Sequence, residues 1–105
     1  MFLLNKLWEL KQNTLIILFV LFIFLNQSIQ PVQAASAAEI AALTALYNAT
    51  DGANWSTNTN WTIGDPCTNN WSGVTCLAGS VTELDLNNNN LSGSIPSEIG
   101  NLTNL

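Results

Sequence analysis

Along the chain the spacing of apolar residues changes from segment to segment, and each spacing predicts a different element. From Leu15 to Leu25 the apolar residues are continuous, LIILFVLFIFL. Further on they recur at Ile40, Leu43, Leu46 and Tyr47, one stripe of a 3.6-residue period. Ser36 stands three before Glu39, the S-x-x-E capping box in which each side chain satisfies a backbone N–H near the other. The spacing therefore predicts a helix opening at Ser36, with alanines of high helix propensity between the stripe residues. It should end near Asn48, where Asn-Ala-Thr-Asp-Gly brings turn formers and, in Gly52, a residue free to take positive φ. From Asp51 to Gly79 no period is sustained, which predicts irregular structure packed around Trp55, Trp61 and Trp71. Each indole can bury on the order of 200 Å² while its N–H finds an acceptor. A miniature core is the expectation, and a sugar-binding aromatic platform is the alternative. Gly73 to Cys76 then favours a strand, Ala78-Gly79-Ser80 a turn, and Val81 to Leu86 alternates again, so the two short strands should pair as a hairpin.

Composition changes this picture most at the N-terminus. Lys6, Lys11 and the terminal amine precede the apolar run, and Pro31 and the small residues Val32-Gln33-Ala34-Ala35-Ser36-Ala37 follow it. Basic region, apolar core and A-x-A-like exit together describe a secretory signal peptide over residues 1–34, cut after Ala34 or, as second choice, after Ala37. The run is about half of the roughly 20 apolar residues that a spanning helix needs, and an uncleaved anchor is the alternative. Beyond it every charged side chain is a carboxylate, because the chain has only those two lysines, no Arg and no His, and a net charge of −5. Such a surface repels phosphate, which excludes nucleic acid and anionic membranes as partners of the segment after the leader. The lack of His removes Ser-His-Asp and Cys-His triads and His-ligated zinc, and no cofactor is implied. In an exported chain Cys67 and Cys76, its only cysteines, read most economically as one disulfide. A metal would need two further ligands, and a reactive dithiol would need a nearby cation to lower a thiol pKa. N-glycosylation sequons begin at Asn48, Asn54, Asn60, Asn70, Asn90 and Asn101.

In the last 25 residues, Val81, Leu84, Leu86, Asn89 and Leu91 match L-x-x-L-x-L-x-x-N-x-L, the strand segment of a leucine-rich repeat. Along that strand Leu84 and Leu86 should face inward, with Thr82, Glu83 and Asp85 outward. Asn89, whose amide both donates and accepts, should satisfy backbone groups of the turn that follows. Leu91 to Leu102, LSGSIPSEIGNL, resembles the L-S-G-x-I-P-x-x-I/L-G-N-L continuation of plant-type leucine-rich repeats. Asp65-Pro66-Cys67 and Trp71-Ser72-Gly73-Val74-Thr75-Cys76, with the helix before them, resemble the N-terminal cap of those proteins, although the gap between the cysteines is wider here. The resemblance implies an α/β leucine-rich-repeat solenoid: a short helical, disulfide-bonded cap over residues 35–80, then one complete strand-and-turn repeat over 81–105, with Leu105 opening a second. It also implies a second short strand and a helical turn after Leu91, Gly93 at a close backbone approach, Pro96 opening the turn, and Ile95, Ile99 and Leu102 inward.

A repeat covers only half of its apolar side by itself. The chain is therefore expected to be the N-terminal piece of a longer protein, exposing Leu84, Leu86, Leu91, Ile95, Ile99 and Leu102 at its free end. Similar proteins are receptor-kinase ectodomains or secreted inhibitors of the polygalacturonase-inhibitor type, which bind proteins, peptides or small hormones on a concave surface built by many repeats. The resemblance thus implies a secreted or cell-surface recognition protein with a protein or peptide ligand. Thr82, Glu83 and Asp85 alone are few beside the roughly 20 residues per side of a specific interface. A structural or adhesive repeat protein is the second reading. A carbohydrate-active enzyme is the third, since Glu83 and Asp85 stand i, i+2 at a separation resembling a glycosidase pair. It lacks a cleft and an apolar setting to raise one carboxyl pKa, so no enzyme is expected.

Overall fold

The computed structural model describes residues 2–25 and 31–105, arranged as two units, Met1–Pro31 and Val32–Leu105. The first unit is one helix, α1 (Phe2–Leu25), on which Leu15 to Leu21 are exposed. Among the described residues no helix is long and apolar enough to cross a membrane. Residues 1 and 26–30 of the expected signal peptide lie outside the described residues.

The second unit opens with helix α2 (Ala37–Ala49), and its capping box is complete. The Glu39 N–H donates to the Ser36 hydroxyl at 3.2 Å, and the Ser36 N–H donates to Glu39 Oε2 at 3.0 Å. Leu43 and Leu46 are buried and Ile40 and Tyr47 half-buried, as the stripe predicts, but Ala42 and Glu39 are buried too. The helix ends where the Thr50 N–H and hydroxyl both donate to the Leu46 carbonyl, at 3.0 and 2.7 Å. The left-handed residue after it is Asp51 (φ 58°), not Gly52 as expected. Gly52 is needed for room instead, because a Cβ there would collide with the Tyr47 ring.

The long irregular segment wraps the predicted miniature core. Trp55, Trp61 and Trp71 are each at most 5% exposed, which removes the exposed-platform alternative. Their indole N–H groups donate to the carbonyls of Thr50, Ser72 and Ile63 at 2.9, 2.8 and 2.9 Å. Trp61 sits at the centre, with ring centroids 4.8 Å from Trp55, 5.1 Å from Trp71 and 5.9 Å from Tyr47. Burying about 200 Å² of indole contributes roughly 5 kcal/mol of transfer free energy, comparable to the net stability of a small domain. Cys67 and Cys76 are disulfide-bonded, with Cα atoms 5.5 Å apart. The wide gap between them is ordered by Asp65, whose Oδ1 accepts from the Cys67 and Thr68 N–H groups at 2.8 and 3.0 Å.

Strands β1 (Val74–Leu77) and β2 (Ser80–Leu84) pair antiparallel across a turn at Ala78 and Gly79, both with positive φ as a two-residue hairpin turn requires. Thr75 pairs with Glu83 and Cys76 with Val81, which leaves Thr82 as the extra residue of a bulge. On a regular strand Val81 and Leu84, three apart, would face opposite sides. The bulge resets the phase, so Val81 is fully buried and Leu84 also packs against the core.

After β2 the repeat turns through the asparagines and ends in a 3₁₀ turn, Ser97–Asn101, opened by Pro96 at φ −74°. No second strand follows Leu91 among the described residues; instead the Ser92 N–H donates to the Thr50 carbonyl at 3.1 Å, spending that backbone on the end of α2. Gly93 (φ 108°) permits the approach, since a Cβ there would collide with the Ala49 carbonyl. The 3₁₀ turn packs on α2. Leu102, expected to be uncovered at the free end, is consequently buried at 4%, whereas Ile95, expected to be uncovered there as well, is 73% exposed. A single repeat folded against its cap is what these residues form, and the stacking of further repeats is not part of it.

Two buried polar side chains join the cap to the repeat. Glu39 Oε1 accepts the Val81 N–H at 2.9 Å across 42 residues of sequence. Burial on its own raises the Glu39 carboxyl pKa, and the nearby Asp65 carboxylate adds to that; hydrogen bonds from Val81 and Ser36 outweigh both and hold it below its ordinary 4.5. Asn89, 6% exposed, does not serve its own turn as expected but pairs with the backbone of Thr57. Its Oδ1 accepts the Thr57 N–H at 2.6 Å and its Nδ2 donates to the Thr57 carbonyl at 2.9 Å. Among the described residues no buried side-chain polar atom lacks a partner.

These joints predict two outcomes. Because the Glu39 pKa is lowered on folding, its contribution is present above the unfolded value and fades as pH falls through the folded one. Glu39→Gln should therefore lose about 1–3 kcal/mol in urea melts at neutral pH, with the gap to wild type closing as pH drops below about 4. Asn89→Ala removes the partner of the Thr57 N–H and leaves its carbonyl only the longer bond from the Ser72 hydroxyl at 3.4 Å, and should lose about 1–3 kcal/mol at any pH, measured the same way.

Candidate functional site

A leucine-rich strand has two chemically different sides, and here they lead to two candidate surfaces. On the outer side Glu83 and Asp85 are exposed, two residues apart and on the same side of the chain. Thr82, the bulge residue, is half-buried, and its hydroxyl donates to the Thr75 carbonyl at 3.4 Å. Asp85 is held in place, since its Oδ1 accepts the Asn87 N–H at 3.1 Å and also the Asn87 side-chain amide. Beside it lies a shallow polar hollow of about 260 Å³ bounded by Thr57, Ser72, Asp85, Asn87 and Asn89. That is below the roughly 300–1,000 Å³ of small-molecule pockets, and its one ionisable lining group is Asp85.

The other side is apolar. Leu46 of α2 with Leu84, Leu86, Leu91, Ile95 and Ile99 line a hollow of about 200 Å³ that opens to solvent. Leu84, Leu86 and Ile99 are half-buried at its base, and Leu91 and Ile95 form an exposed rim. The carboxylates and this apolar hollow together make a strip with charge on one side of the strand and hydrocarbon on the other.

Of the sequon asparagines, Asn48, Asn54, Asn70, Asn90 and Asn101 are exposed and Asn60 is half-buried. Asn54, Asn60 and Asn90 have their amide nitrogens donating, to the Asp51 carboxylate (2.9 Å), the Asn69 carbonyl (2.9 Å) and the Ser56 hydroxyl (2.9 Å). Neither Glu39 nor Thr57 was singled out from sequence as a joint between cap and repeat. Only the capping box pointed at Glu39, and it gave no hint of Val81 as a second partner.

Comparison with known proteins bears on the same residues. Residues 36–77 match the Leucine rich repeat N-terminal domain family and residues 80–102 the Leucine Rich Repeat family, which together take in more than half of the chain. Over 53 residues the chain is 51% identical to the leucine-rich repeat receptor-like protein kinase PEPR2 of Arabidopsis thaliana, a stretch that is 49% of this chain and 5% of that protein. Over 50 residues it is 44% identical to another Arabidopsis thaliana protein, named as a leucine-rich repeat receptor-like serine/threonine-protein kinase, covering 41% of this chain and 5% of that one. Over 45 residues it is 40% identical to the receptor protein kinase WSS1 of Oryza sativa subsp. japonica, covering 43% and 5%. The chain thus spans about 5% of the length of these curated relatives. No solved structure gives a significant match. With a capped, disulfide-bonded helical segment leading into a strand-and-turn unit, and both halves matched, the chain belongs to the plant-type leucine-rich-repeat proteins as an N-terminal cap followed by a repeat.

Proposed function

We propose that the chain is the exported N-terminal part of a leucine-rich-repeat recognition protein, whose role is to bind a protein or peptide. The observation that carries this reading is the two-sided strand: Glu83 and Asp85 are presented outward while Leu84 and Leu86 lead to an open apolar hollow. In this reading residues 1–34 are the signal peptide, and the protein is secreted or forms an ectodomain. The hollow is the seat of a following repeat, which would extend the chain into an α/β solenoid. Its relatives by name are receptor-like kinases, which favours recognition over a purely adhesive role. The outer row on this one repeat is acidic and would favour a basic stretch of ligand. Glu83 on β2 and Asp85 just past its end are both exposed, with no cleft between them, which supports binding and not glycoside hydrolysis.

Two outcomes test the two sides separately. The apolar hollow should drive association at micromolar concentration in sedimentation velocity, and Ile95→Glu, on the exposed rim, should return the protein to monomer without lowering Tm. On the outer side, basic peptides selected against the protein from a display library should bind about tenfold more weakly to the Glu83→Lys, Asp85→Lys double variant, with Tm essentially unchanged. Peptide binding indifferent to both residues, or polysaccharide hydrolysis that depends on them, would count against the recognition reading.

A further inference from the structure

Near the start of the second unit a backbone nitrogen has found a carboxylate. The Ala35 N–H donates to Asp65 Oδ2 at 2.9 Å, and Ala35 is only 8% exposed. Immediately before it, Val32, Gln33 and Ala34 are exposed and belong to no helix or strand; immediately after it, Ser36 starts the capping box of α2. Ala34 and Val32 are the small residues that a signal peptidase requires just before and two further before its cut. A cut after Ala37 would remove Ser36, and with it the partner of the Glu39 N–H and both groups that Ser36 donates to the Glu39 carboxylate. A cut after Ala34 leaves every one of these bonds intact.

We propose that the chain is cleaved between Ala34 and Ala35, and that the α-ammonium so released pairs with the Asp65 carboxylate and anchors the start of the cap. Hydrolysis by the export machinery's peptidase consumes one water: Ala34 leaves with a carboxylate, and Ala35 keeps the nitrogen, which takes up a proton. An amide hydrogen bond becomes a charge-assisted one at the same place. The setting is unusual, because the chain after residue 31 has no Lys, Arg or His. The α-ammonium is then the sole cation among residues 35–105. It faces Asp65 from the loop, whose carboxylate is itself close enough to that of Glu39 on α2 for the two to repel each other. The neighbouring Cys67 is held in the disulfide and does not titrate. Asp65 would thus work at both oxygens, Oδ1 on the Cys67 and Thr68 N–H groups and Oδ2 on the chain terminus. The ion pair's sign with pH follows from its amine. Carboxylate neighbours raise the amine pKa on folding, so the stabilisation is full below its ordinary value of about 8 and is lost as pH rises through the folded value.

This proposal rests on the export reading, and one experiment separates the two. The full chain is expressed with its own leader in a secretory eukaryotic host, and the product recovered from the medium is examined by intact mass and N-terminal sequencing. Because Lys6 and Lys11 leave with the leader, an acetylating ester then has one amine to attack. The expected product starts at Ala35 and is acetylated about tenfold more slowly than the Asp65→Asn product, one pKa unit's worth of protection. Its Tm falls by about 5 °C between roughly pH 7 and pH 10, and that of Asp65→Asn does not. Asparagine retains the Oδ1 acceptor; should that variant fail to accumulate, the same product unfolded in urea supplies the unprotected rate. A secreted product starting elsewhere, or an Ala35 amine as reactive as the unprotected one, overturns the ion pair while leaving export standing. A chain retained in the cell with its leader attached overturns both.

Discussion

A carboxylate buried on a helix and bonded to a strand 42 residues away is the joint on which the second unit turns. Glu39 closes the first turn of α2 through Ser36 and takes the N–H of Val81, the first buried residue of the repeat. Burying a lone carboxylate would be costly. Three hydrogen bonds offset that cost and fix where the helix start must lie against the strand. With that position set, Leu43 and Leu46 share one core with Val81, Leu102 and the Trp55, Trp61 and Trp71 cluster. Asn89 makes the corresponding joint at the far end of the strand, pairing with Thr57 much as a neighbouring strand would.

What could be read from the sequence was local or periodic. The S-x-x-E box fixes the helix start because both partners lie within one turn, and the leucine spacing fixes which residues of β2 carry the apolar side. The indole count and the two cysteines announce a small core with one crosslink. The remainder depends on partners distant in sequence. Nothing local says that Asn89 will bond Thr57 instead of its own turn, or that Thr82 will bulge so that Val81 and Leu84 share a side. Nor does a Thr-Asp-Gly string reveal that Asp51 takes the left-handed conformation while Gly52 serves only to clear Tyr47. Leu102 misleads for the same reason. Its inward direction is written in the repeat pattern, but the surface that covers it, α2, belongs to the cap.

The candidate site was legible in residue type and less so in surroundings. Glu83 and Asp85 can be placed outward from alternation alone, whereas the fixing of Asp85 by Asn87 and the open hollow behind the strand emerge only in three dimensions. Together they describe a chain whose cap closes the repeat toward α2 and leaves hydrocarbon free beyond Leu91 and Ile95. Recognition surfaces in such architectures are distributed, each strand adding a few side chains, so affinity grows with the number of strands in the row.

The joint between Glu39 and Val81 can be examined directly by amide hydrogen exchange resolved at Val81. If the carboxylate holds that N–H inside the core, it should exchange only when the whole unit unfolds, as slowly as the amides of Leu43 and Leu46 in the middle of α2. Exchange at the pace of a fraying strand end, with those helix amides still protected, would show that the cap and the repeat are not sewn together there.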